Sequence, residues 1–261
     1  MKLHTLMAMA GLMLMVGTVQ AKVVTEEVTY QAGGVTLKGY FAYDDAVTGQ
    51  RPGVMVVHEW WGLNEYPRRR ARQLAELGYV ALAIDMYGEG RVAQSREEAG
   101  RLAGQVRGDR ELMRQRARAG LDVLKNHRLV DANRVAAIGY CFGGTTVLEL
   151  AYSGADLAGV VSFHGGITAP TPEEAKNIKA AVLVLHGADD PFVPKEAIDT
   201  FMQRMAEAQV DWQFIAYGGA VHTFTNPEAG NNKANGAAYD EAADKRSWEH
   251  MKVFFHEIFR K

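Results

Sequence analysis

The stretch Arg134-Val135-Ala136-Ala137-Ile138-Gly139-Tyr140-Cys141-Phe142-Gly143-Gly144-Thr145 decides the fold. A continuous run of Val, Ala and Ile leaves no polar side for solvent, so it reads as a strand buried on both faces. It runs into Gly139-Tyr140-Cys141-Phe142-Gly143, and Thr145–Ala151 continues as a helix. A strand that turns into a helix around a nucleophile, with glycine two residues before and two after it, is a nucleophile elbow carrying Cys in place of Ser. The turn is strained, and only residues without bulk let strand and helix pass closely. It presents the Cys141 sulfur at a helix N-terminus, where the macrodipole and free N–H groups favour thiolate. The next N–H, of Phe142, is placed to meet an oxyanion.

Outward from the elbow, the same kind of apolar run recurs at Gly53–Val57, Tyr79–Ile84, Ala158–Phe163, Ala181–Leu185 and Trp212–Ala216. Helical patterns separate these runs, and such alternation implies an α/β fold, a mostly parallel sheet with helices on both faces. Ahead of it, Val24, Glu26, Val28 and Tyr30, then Val35, Leu37, Gly39 and Phe41, alternate about Gly33-Gly34 as an N-terminal hairpin. Met113, Ala117, Leu121 and Leu124 share one helix face, and Arg110, Arg114 and Arg118 share another, read as solvated. Trp248, Met251, Phe255 and Ile258 form a core stripe on the last helix. No repeat or linker interrupts residues 22–261, which read as one domain.

The first residues differ in kind. Lys2 and His4 precede an apolar stretch from Leu6 to Val16, and Val19-Gln20-Ala21 offers small residues around a cut after Ala21. Residues 1–21 therefore read as a signal peptide, too short for a span of about 20 apolar residues. The expected mature protein starts at Lys22, is periplasmic or secreted, and keeps no membrane segment. A formal net charge of −2 gives no electrostatic reason to expect nucleic acid as partner. An exported chain with one Cys has no internal disulfide and carries a free thiol in an oxidising compartment.

The remaining chemistry follows in the order nucleophile, acid, base. Leu183-Val184-Leu185-His186-Gly187-Ala188-Asp189-Asp190-Pro191-Phe192-Val193-Pro194 is a buried strand end followed by a loop with two carboxylates. Either Asp189 or Asp190 can orient an imidazole there, while the other caps the helix beyond Pro194. His222 lies in the Gly-bearing loop Gly218–Thr225, beyond the last strand. His58, His164 and His186 also sit near strand ends, but only His222 follows the acid in chain order. No histidine set has metal-ligand spacing, and no metal or cofactor is expected.

Taken together, Val57-His58-Glu59-Trp60-Trp61-Gly62-Leu63-Asn64, the G-Y-C-F-G-G elbow, H-G-A-D-D-P-F-V-P and G-G-A-V-H-T-F make the chain resemble the dienelactone hydrolase (carboxymethylenebutenolidase) family from about Val35 onward. The resemblance implies an α/β-hydrolase fold and hydrolysis of small esters or lactones. It places the nucleophile at Cys141, the acid at Asp190 and the base at His222. It also implies that Glu59 holds the resting thiol and that the Trp60 and Phe142 amides form the oxyanion hole. The family binds its substrate's carboxylate with two arginines. Here Glu89 falls near the first of those places and Asn226 at the second, with Arg91 the candidate replacement. Trp60, Trp61, Tyr87, Phe142 and Phe224 are expected to wall an aromatic pocket, so that uncharged esters or lactones are preferred. Two rivals remain open: a cysteine acyltransferase or peptidase on the same scaffold, and a non-catalytic exported binding protein.

Overall fold

The computed structural model describes residues 22–260, so the expected signal peptide lies outside the described residues. Eight strands form one sheet: β1 (Val23–Ala32), β2 (Val35–Asp44), β3 (Arg51–Val57), β4 (Val80–Ile84), β5 (Val130–Tyr140), β6 (Gly159–Phe163), β7 (Ala181–Gly187) and β8 (Trp212–Tyr217). Their spatial order is β1-β2-β4-β3-β5-β6-β7-β8. The first two pair antiparallel from Val23↔Asp44 to Ala32↔Val35, and β2 joins β4 antiparallel. All pairings from β4 across to β8 are parallel.

The helices are α1 (Glu65–Glu76), α2 (Arg96–Arg107), α3 (Arg110–Lys125), α4 (Phe142–Tyr152), α5 (Pro172–Asn177), α6 (Lys195–Glu207) and α7 (Glu241–Ile258). Alternate strand residues feed two separate cores, because successive side chains point to opposite faces. Met55 and Val57 pack with Leu102 of α2, Met113 and Leu121 of α3, Val147 of α4 and Phe201 of α6. Val54 and Val56 pack on the other face with Tyr66 and Leu74 of α1 and with Met251, Phe255 and Ile258 of α7. Both faces of the parallel strands are thus covered, which is why their sequences carry no polar alternation.

One expectation fails on α3. Arg110 and Arg114 do not simply face solvent. Both reach Glu149 of α4, whose side chain is 4% exposed, and Glu174 of α5. A carboxylate buried that deeply needs paired charge, and two guanidinium forks supply it.

Strand order reverses between β3 and β5, since the chain leaves β3 toward β4 and returns on its other side. Crevices beyond the carboxyl ends of strands at such a reversal are where open α/β sheets bind ligands. The elbow sits there, and its glycines are fixed by backbone. A Cβ on Gly139 would lie 2.0 Å from the Gly143 carbonyl oxygen, and one on Gly143 would lie 2.2 Å from that of Val57. Gly143→Ala should therefore lose at least ~3 kcal/mol or fail to fold, since neither backbone can give way. Gly100→Ala, on an open face of α2 with nothing within 4 Å, should instead gain ~0.5–1 kcal/mol. Denaturant melts of the two variants check both signs.

Candidate active site

Each reactive side chain sits just past the carboxyl end of a strand: Glu59 after β3, Cys141 after β5, Asp190 after β7 and His222 after β8. Cys141 has φ +53° and ψ −111°, a conformation L-residues avoid, and α4 begins at the next residue. Its half-buried, unpaired thiol meets His222 Nε2 at 3.0 Å. On the other side of that ring, Nδ1 lies 2.7 Å from Asp190 Oδ2. Asp190 Oδ1 accepts from the Phe192 amide at 2.9 Å, which fixes the carboxylate's orientation. Asp189 is exposed, so the structure brings Asp190 and not its neighbour to the imidazole. His222 is itself pinned by backbone: its N–H donates to Gly236 and its carbonyl accepts from Ala238.

Burial alone would push the His222 imidazolium down. The negative charges of Cys141 and Asp190, each hydrogen-bonded to the ring, more than reverse this and raise it to about 10.

Two backbone amides are the candidate oxyanion donors. The Phe142 N–H opens α4 and so has no intrahelical acceptor. The peptide joining Glu59 and Trp60 is locked from its carbonyl side. His58 Nδ1 donates to the Glu59 oxygen at 2.5 Å, and the Gly62 amide donates to it at 3.3 Å. In a planar trans peptide the Trp60 N–H must then point the opposite way. His58 can donate from Nδ1 because Nε2 accepts from the Met86 amide at 3.2 Å.

Five expectations change. Glu59 makes no hydrogen bond to the thiol among the described residues: Asn226 Nδ2 donates to its Oε2 at 2.6 Å, and Oε1 has no partner. Tyr87 does not line the cavity; its ring is buried and its hydroxyl donates to the Trp60 carbonyl at 2.8 Å. Phe142 is completely buried in the core and is not part of the cavity wall. Phe224 points inward, edge-on to His164 and against Tyr217. Arg91 is exposed, bonds the Gly88 carbonyl, and is absent from the cavity wall. Trp60, Trp61 and Cys141 do line a cavity of about 940 Å³. Arg96 and Arg107 line it as well, neither with an ion-pair partner among the described residues, and the Arg107 guanidinium lies 5.8 Å over the Phe142 ring. No sequence motif marked either arginine.

Burial lifts the Glu59 carboxyl from 4.5 to about 7, against the pull of the Asn226 hydrogen bond and the charge of His222. A folded value above the unfolded one means that its contribution to stability is full below pH 4.5 and lost as pH rises through 7. Glu59→Gln cannot charge, so it should match wild type near pH 4 and exceed it by on the order of 3 kcal/mol above pH 8. Melting both proteins across that range measures the difference. A difference that stays flat with pH would refute the assignment.

Comparison with known proteins agrees with the geometry. Residues 37–259 match the model of the dienelactone hydrolase family. A solved structure titled m3DLH is 46% identical, with TM-score 0.86, over 91% of this chain and 99% of its own. A dienelactone hydrolase-like promiscuous phosphotriesterase from metagenomic libraries is 44% identical, with TM-score 0.86, over 90% and 98%. Protein usf of Aquifex pyrophilus is 29% identical across 88% of this chain and 97% of its own length. The chain belongs to the dienelactone hydrolase family of lactone and ester hydrolases, with the α/β-hydrolase fold.

Proposed function

We propose that the protein hydrolyses small esters or lactones through an acyl-enzyme on Cys141. The observation that carries this is the unbroken relay from Cys141 Sγ through His222 to Asp190, at 3.0 and 2.7 Å. The Cys141 thiolate attacks the ester carbonyl, and the Phe142 and Trp60 amides receive the oxyanion. Collapse of the tetrahedral adduct expels the alkoxide, which takes a proton from the His222 imidazolium. His222, neutral again, takes a proton from water as the water attacks the thioester, and Asp190 stabilises the imidazolium that forms. The acid product leaves and the thiolate–imidazolium pair is restored. Glu59 acts on this cycle through its charge, without touching the sulfur.

The cavity wall changes the expected specificity. Glu89, which falls near the first of the two arginine places of the family, is exposed and not part of the wall. The unpaired Arg96 and Arg107 are, with Glu228 the one carboxylate among the lining residues. A carboxylate on the substrate would find a guanidinium beside Phe142, next to the nucleophile.

Export is part of the proposal, supported by the basic, apolar and small-residue order of residues 1–21. Protein recovered from outside the cytoplasm should begin at Lys22 by mass spectrometry; an intact Met1–Ala21 on the soluble protein would reject it.

The activity is tested with a neutral and a carboxylated lactone of similar ring size. Cys141→Ala should lose several orders of magnitude on both while staying folded, because its partners act only through the nucleophile. Arg107→Met should lower kcat/KM on the order of tenfold for the carboxylated lactone and leave the neutral one within about threefold, a difference of ~1.4 kcal/mol. Activity within tenfold of wild type in folded Cys141→Ala would refute the mechanism. Equal effects of Arg107→Met on both lactones would refute the anion contact.

A further inference from the structure

His164 takes no part in the proton relay, yet it is held in a way that simple burial does not require. It follows β6, is completely buried, and has φ +40°, a left-handed conformation that a non-glycine residue adopts only under constraint. Its Nδ1 accepts from the Cys141 amide at 3.1 Å. That same amide already donates to the Phe163 carbonyl at 3.0 Å. The imidazole is therefore a second acceptor for a donor that needed only one.

The other nitrogen leads to the base's loop. His164 Nε2 lies 2.7 Å from Thr225 Oγ1, three residues beyond His222, and the two imidazoles stand edge to face with centroids 5.4 Å apart. A backbone N–H can only donate, so Nδ1 is bare and the ring proton sits on Nε2, donated to Thr225. Thr225 is held in turn by its hydroxyl contact with Tyr66 at 2.5 Å and by Arg70, which donates to its carbonyl at 2.8 Å and pairs with Asp244 of α7. Asn226, the next residue, carries the amide that binds Glu59. Burial, then the positive charges of His222 and Arg70, keep the His164 ring neutral.

We infer that His164 is a positioning residue: through its Nε2–H tautomer it locks the nucleophile elbow to the loop of the base, joining the Cys141 amide to Thr225. Loss of the Thr225 acceptor frees the proton to move to Nδ1. There it would oppose the Cys141 N–H, donor against donor, and push the elbow out of line with His222. The inference rests on the proposed role of Cys141 as nucleophile, and the test separates the two.

The variants are Thr225→Val, Thr225→Ser and Tyr66→Phe, with Cys141→Ala as control. The readouts are kcat and KM on a p-nitrophenyl ester, the alkylation rate of Cys141 by iodoacetamide, and thermal stability. Thr225→Val should lower kcat at least tenfold with KM within about twofold, and slow alkylation in parallel. Thr225→Ser should restore both to within about twofold. Tyr66→Phe cuts the same buried chain one link further on but leaves the Thr225 oxygen to accept from His164, so it should reduce stability and leave kcat within about threefold. Nitrogen-15 spectroscopy of the wild-type imidazoles should find a histidine protonated at Nε2 and bare at Nδ1 that loses this pattern in Thr225→Val.

Wild-type kcat and alkylation in Thr225→Val, no rescue by Thr225→Ser, or equal kcat losses in Thr225→Val and Tyr66→Phe would each overturn the inference. A His164 protonated at Nδ1 in wild type would overturn it even if no variant folded. Ester hydrolysis that survives Cys141→Ala would sink the nucleophile assignment instead, while the tautomer and alkylation measurements still judge His164.

Discussion

The site depends on one contact between two pieces of backbone. Gly143, in the first turn of α4, lies so close to the end of β3 that even a methyl group would overlap the Val57 carbonyl, with that of His58 close behind. No side chain intervenes, so there is no rotamer through which the distance can relax. The two segments held together here carry Cys141 and Phe142 on one side and Glu59 and Trp60 on the other. The proposed nucleophile and both candidate oxyanion donors are thereby set by backbone packing, which is stiffer than any arrangement of long side chains. Cys141, two residues before Gly143, has a positive φ that L-residues rarely adopt.

Around that contact, three histidines carry three different proton patterns, each dictated by its partners. His58 donates from Nδ1 because a carbonyl faces it, and accepts at Nε2 because an amide does. His164 has the opposite tautomer, since an amide faces Nδ1 and a hydroxyl faces Nε2. His222 alone of the three has a carboxylate on one nitrogen and a thiol on the other, and its imidazolium is the one these partners stabilise. The residue type is the same in all three; the neighbouring donors and acceptors fit one for the proposed role of base and the other two for holding backbone in place.

The charged groups divide in a similar way. Arg110 and Arg114 are satisfied by Glu149 and Glu174 and brace α3, α4 and α5 against one another. Arg70 is buried, paired with Asp244 and stacked near the rings of Tyr66, Tyr140 and Trp248. Those cations are structural. Arg107 stands over Phe142 at the cavity wall with no such partner, so its charge remains free to meet a ligand.

Short-range features were legible in the sequence by itself. Runs of Val, Ile, Leu and Ala gave the parallel strands to within a few residues, because a strand covered on both faces must be apolar throughout. The elbow was legible because its geometry tolerates only small residues at fixed offsets from Cys141, and the chain order placed Asp190 and His222 as candidates beyond strand ends. Tertiary structure alone decided what each side chain faces. Tyr87 and Phe224 are aromatic residues in the right loops, yet one props the Trp60 peptide and the other fills the core under the base. Asn226 meets Glu59 across 167 positions of chain, and Arg107 reaches the cavity because the crossover between β4 and β5 carries α2 past the elbow. Local sequence specifies backbone conformation through sterics and periodicity. Which polar groups become partners depends on which elements the packing of two cores brings together, and no short motif encodes that.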